Sequence, residues 1–155
     1  MAVMVIDRKS ADNKYLHRDF HLIMNRALQH IGDNYGEAGV ETYVRNYAKR
    51  YFSAMTLEEI KNYLIDLYER EEASDKLSVE LTDKELAVKI SSCPAVEYIL
   101  SKGDKMATYY VHTAKTLYAE IAEISGLKFE FGSYDEATGA CDFTFKKKRC
   151  CCKKA

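Results

Sequence analysis

Hydrophobic positions along the chain keep helical spacing at first, switch to alternation, return to helical spacing, and alternate again near the end. Between Asn13 and Asp33, a stripe of Leu16, Phe20, Ile23, Ala27 and Ile31 predicts an amphipathic helix. His17, His21, Met24 and Leu28 form a second stripe rotated by about 100°, so the two histidines flank the expected core face. Tyr35-Gly36 reads as a break, after which Val40, Tyr43, Val44, Tyr47 and Tyr51 mark a second helix ending near Ser53. Thr56 followed by Glu59 is a capping box, in which hydroxyl and carboxylate each satisfy an otherwise unpaired backbone N–H. The helix it starts carries Leu57, Ile60, Leu64, Leu67 and Tyr68 on one face, and the run Glu69, Glu71 and Glu72 is expected to return the chain to solvent.

From Lys76 the period drops to two. Leu77, Val79 and Leu81 share one face, and Leu86, Val88 and Ile90 share one face after the polar Thr82-Asp83-Lys84 turn, which predicts a hairpin with one buried side. Pro94 ends the ladder and suits the first turn of a helix. A short helix over about 95–101 and a longer one over about 105–125 follow, the latter burying Tyr110, Ala114, Leu117, Ile121 and Ile124. The last folded unit is a second hairpin, with Leu127, Phe129 and Phe131 on one strand and Cys141, Phe143 and Phe145 on the other, turning through Asp135 to Gly139. Two one-sided hairpins must cover their apolar faces, which predicts an α+β fold: an antiparallel sheet of about four strands with the helices packed on one face.

The 155 residues fit one domain, here 1–145 with an N-terminal arm over 1–12, followed by a basic, cysteine-rich tail over 146–155. With 47% hydrophobic and 30% charged residues, one proline and twelve tyrosines, the composition is that of an ordinary folded chain. The formal charge of -1 hides an asymmetry: outside the tail there are 17 basic against 24 acidic side chains, a net of -7. An acidic body repels phosphate backbones, so nucleic-acid binding by the folded domain is not expected. No stretch approaches about 18 apolar residues and the start lacks a signal peptide's pattern, so the expectation is a cytoplasmic protein without a transmembrane segment. Five cysteines, three of them consecutive at 150–152, give no disulfide framework. The tail is expected to be a frayed, solvated extension of the last strand.

Candidate chemistry is sparse. His17 and His21 lie one helical turn apart, where two imidazoles can share a metal ion, supply a base, or simply edge the core. Cys93 stands at a strand-to-helix junction, where free N–H groups favour a thiolate and so suit a nucleophile. Cys141 alternates with Phe143 and Phe145 and is expected to point into the core as a small hydrophobe. His112 falls beside the main stripe of its helix, at the surface or a pocket edge, and the tyrosines at 43, 47 and 51 either pack in the core or line a pocket. There is no Gly-rich phosphate loop, no Gly-x-Ser-x-Gly elbow and no pair of Cys-x-x-Cys motifs, which argues against nucleotide-binding, serine-hydrolase and zinc-ribbon chemistry.

Taken in order, His17 and His21, Tyr35-Gly36-Glu37-Ala38, Cys93-Pro94-Ala95-Val96, and Tyr134-Asp135-x-x-Thr138-Gly139-x-Cys141-x-x-x-Phe145 resemble the bacterial L-2-amino-thiazoline-4-carboxylic acid hydrolase-like family over roughly Tyr15 to Phe145. The resemblance implies a small cytoplasmic α+β protein that hydrolyses a carbon–nitrogen bond in a small cyclic amidine or amide. Residue chemistry then assigns Cys93 as nucleophile and His17 or His21 as general base, with Tyr35, Tyr47 and His112 at the substrate. A metal-assisted variant places zinc or iron on His17, His21, Cys93 and Cys141. The alternative is a non-catalytic domain that holds a small molecule or metal between helices and sheet and acts as a sensor. No cofactor is required by either reading, and a homo-oligomer is compatible with both.

Overall fold

Both helices expected in the N-terminal third form, as two arms of one element, α1 (Lys14–Tyr51), joined through Gly36 at φ 69° and ψ -170°. That backbone conformation is open to glycine and strained for other residues, which is why the break falls there. The computed structural model describes residues 14–148, with side chains from 18 onward. The N-terminal arm, the His17 side chain and the tail from residue 149 on lie outside the described residues.

The first arm turns its second stripe inward. Leu28 and Asn25 are buried, whereas Phe20 and Ile23 of the expected core stripe are exposed, Ile23 at 64%. Periodicity cannot distinguish two adjacent stripes, and the rotation is decided by Asn25. Its Nδ2 donates to the Lys105 carbonyl at 2.8 Å and its Oδ1 accepts from the Ala107 N–H at 2.8 Å. Gln29 on the next turn accepts from the Thr108 N–H at 3.0 Å. The same bonds dissolve the first turns of the helix expected over 105–125. Backbone groups at 105–108 are bonded to α1 instead of to one another, leaving a 3-10 turn (Tyr110–Thr113) and the shorter α4 (Lys115–Ile124).

Between these elements the local signals hold. The Thr56–Glu59 capping box is present in both directions and opens α2 (Leu57–Arg70). The strands β1 (Leu77–Leu81) and β2 (Glu85–Ile90) pair as a hairpin, and Pro94 begins α3 (Pro94–Ser101) with Cys93 as its N-cap. After α4, β3 (Leu127–Tyr134) and β4 (Cys141–Lys147) form the second hairpin. The four strands make one antiparallel sheet in the order β1-β2-β4-β3. Register places Leu86, Val88 and Ile90 opposite Phe145, Phe143 and Cys141, and alternation sends all six to the face the helices cover. β4 extends beyond the expected strand: Lys146 and Lys147 are still laddered, so the basic tail starts inside the sheet.

Two hydrophobic cores result, consistent with an α+β fold. The sheet-side core joins Leu57, Ile60 and Leu64 of α2 and Ile121 of α4 to the inner face of β2 and β4. The helix-side core joins Leu28, Val40 and Val44 of α1 to Val96 and Ile99 of α3, Ala107 and Tyr110. Leu117 packs against both. No described helix is long and apolar enough to cross a membrane.

Candidate functional site

The space between the two cores is not filled. A cavity of about 240 Å³ separates them, walled on one side by the two arms of α1 and on the other by α2, α4 and the sheet. Its lining is aromatic and aliphatic, and seven of the twelve tyrosines take part: Tyr43, Tyr47, Tyr63, Tyr68, Tyr110, Tyr118 and Tyr134.

Cys93 reaches the wall from the start of α3. Its backbone N–H donates to the Thr138 carbonyl at 2.8 Å, tying it to the β3–β4 turn. Gly139 in that turn, at φ 69°, packs so close that a Cβ there would sit 2.5 Å from the Cβ of Cys93. Conformation and space both demand glycine at this point. The expectation of an activated thiolate is reversed. Burial pushes the Cys93 thiol up, outweighing the N–H groups of Val96 and Ala95 that favour the thiolate, and the negative charges of Glu71 and Glu97 push the same way as burial. Cys141, buried as expected, is pushed up to about 12 by its own burial and then by Cys93 and Asp142. Both thiols are unpaired and neutral at ordinary pH.

His21 enters the same cavity from α1, and there it meets a residue that sequence reasoning sent to solvent. Glu71, just past the end of α2, is buried, lines the cavity and bonds His21 Nε2 through Oε1 at 2.7 Å. The chain turns Glu71 inward because the next residue, Glu72, adopts φ 55°, rare for a non-glycine residue, and the Ala73 N–H bonds back to the Tyr68 carbonyl. Nothing in the string Glu69 to Glu72 announces this, since one acidic residue in a row is chosen by backbone geometry alone. The His21 ring also packs edge-on against Tyr98 at 6.5 Å.

The remaining candidates divide. Tyr47 lines the cavity, its phenol pushed up by burial and then by Tyr51 and Tyr43. Tyr35 stands beside the Gly36 kink, exposed and away from the cavity. His112, expected at a surface or pocket edge, is fully buried and does not touch the cavity. Its Nδ1 meets Thr116 Oγ1 at 2.6 Å and its Nε2 meets Glu37 Oε1 at 2.9 Å, so it clasps the second arm of α1 just beyond the kink. The burial follows from the 3-10 turn, which rotates residue 112 away from the position a continuous helix would give it. Among the described residues, His21, Cys93 and Cys141 do not bring three ligand atoms together. The group that does is Glu37, Glu41 and His112, within 4.8 Å of one another.

Two further residues matter: Tyr68, which the sequence pattern assigned only to the core, and Tyr118, which it did not single out. Tyr68 and Tyr118 are almost fully buried and line the cavity, and their hydroxyls have no hydrogen-bond partner among the described residues. A buried hydroxyl without a partner costs about 1–3 kcal/mol unless another group takes it. In comparison with known proteins, no family model and no curated protein matches the chain.

Proposed function

We propose that the protein is a small-molecule-binding domain whose ligand lies between the two cores. The observation that carries this reading is the cavity itself. About 240 Å³ of space lined almost wholly by aromatic and aliphatic side chains, left open between two packed cores, is what a small apolar ligand would fill. An apolar cavity of about 150 Å³ already admits benzene, so this one has room for a substituted ring. Unpaired thiols in its wall support a reducing compartment such as the cytoplasm. Thermal denaturation with ethylbenzene tests occupancy alone: the melting temperature is expected to rise with probe concentration. Ala114→Leu, which fills the cavity wall, is expected to abolish that rise while leaving the unliganded protein at least as stable. An ethylbenzene response that survives in Ala114→Leu, or none in the parent, would sink the reading.

A second reading rests on the shared placement of His21 and Cys93. The resemblance implies ring-opening hydrolysis of a cyclic amidine, with Cys93 attacking and His21 as base. Against it, Cys93 is held neutral and His21 Nε2 is committed to Glu71. A carboxylate-bearing substrate would also meet Glu71 and no lysine or arginine among the described lining residues. Turnover of 2-amino-thiazoline-4-carboxylate that is lost in Cys93→Ser would replace the binding reading with this one. Loss of that turnover on chelation, with Cys93→Ser still active, would instead favour a metal-assisted route.

A further inference from the structure

Two buried hydroxyls define what the cavity can hold. Tyr68 of α2 and Tyr118 of α4 are each more than nine-tenths buried, and neither O–H has a partner among the described residues. The Tyr118 hydroxyl cannot readily turn away. The Tyr118 ring stacks on Phe143 with centroids 4.7 Å apart and meets Phe145 edge-on at 6.2 Å, so moving its hydroxyl would dismantle the sheet-side core. Both phenols line the same cavity as the thiols of Cys93 and Cys141. Burial keeps all of them neutral, and a neutral phenol offers a proton to an acceptor.

Charge narrows the occupant further. Glu71 faces the cavity already engaged by His21, and no lysine or arginine is among the described lining residues. An anionic ligand would lose its hydration without gaining a counter-charge there. Resting on the reading of the cavity as a binding site, we infer that its ligand is an uncharged, ring-sized carbonyl compound whose oxygen accepts hydrogen bonds from the Tyr68 and Tyr118 hydroxyls.

Calorimetric titration of the full chain with ethylbenzene, acetophenone and benzoate separates the contributions, since the three share one ring and nearly one size. Acetophenone is expected to bind about 10-fold tighter than ethylbenzene, and benzoate at least about 10-fold weaker than acetophenone at neutral pH. Tyr118→Phe and Tyr68→Phe should each weaken acetophenone about 5- to 10-fold and leave ethylbenzene unchanged. A change in packing alone would move both probes together. Each variant keeps its ring, and a melting temperature at or above the parent's confirms the fold. Equal affinity for acetophenone and ethylbenzene, unmoved in both variants, overturns the inference and leaves the binding site standing. Benzoate as the tightest probe overturns the uncharged ligand, and failure of both neutral probes overturns the binding site itself.

Discussion

The two cores that bound the cavity are built differently. The sheet-side core is a laddered surface: Phe143 and Phe145 are fixed by pairing with β2 and β3, and Tyr118 stacks on Phe143 and meets Phe145 edge-on. The helix-side core is smaller and hangs on an arm that leaves the rest of α1 at a glycine. Its position depends on directional bonds from Asn25 and Gln29 to the 105–108 backbone, and on ion pairs such as Arg26 to Asp104 at 3.0 Å. One wall is therefore held by strand pairing and aromatic packing, the other by a smaller apolar cluster together with a few hydrogen bonds. The difference assigns the walls separate duties: the sheet side sets the shape and the donor hydroxyls, and the arm, which contributes Phe20, His21 and Met24, is the wall that can yield to a ligand.

The strongest test of this division is Phe145→Ala, expected to cost about 3–5 kcal/mol in urea denaturation and to lower the stability of the whole domain. Amide exchange should then accelerate in both cores, because Leu117 of α4 packs against both. Asn25→Ala comes next, at about 1–3 kcal/mol, since it leaves the buried Ala107 N–H and the partly buried Lys105 carbonyl without their partner. Here exchange should quicken at 105–109 and along the first arm while the strands keep their protection. Equal loss of protection in the strands would erase the distinction between the walls. Gly36→Ala forces φ 69° on a residue with a side chain and should cost about 1–3 kcal/mol, loosening the first arm more than the second.

The smallest effect is a pH dependence confined to alkaline conditions. Burial raises Tyr63 to about 12 from its ordinary 10.0, and Cys141 to about 12 from 9.0. In the unfolded chain these groups ionise near their ordinary values, so above them the unfolded state binds fewer protons than the native one. Stability from these groups is present at neutral pH and is lost as pH rises through that window toward 12. Phenolate absorbance from the buried tyrosines should therefore appear together with loss of helical circular dichroism. Their ionisation well before unfolding would show the sheet-side wall to be wetter than its packing implies.

Strands, caps and turns were legible in the amino-acid sequence because each rests on neighbours in the chain. The alternation around Val88 and Phe143, the capping box at Thr56 and the proline after Cys93 all act over a few residues, and each stands where its local pattern put it. That range is enough to establish an α+β fold with a one-sided sheet. The facing of the first arm was not legible, since two stripes of equal period competed and a hydrogen bond to residues about 80 positions away chose between them. Glu71 was read as solvated because a run of acids has no internal mark of which member the backbone will turn inward. Cys93 was read from the helix start it caps, an effect that its burial among distant residues overrides. The cavity belongs to the same class: its walls come from eight separate elements, and its polar character depends on which hydroxyls lack partners once those elements have met. Periodicity is a property of a segment, whereas burial, pairing and empty volume are properties of segments brought together, and only the tertiary structure supplies them.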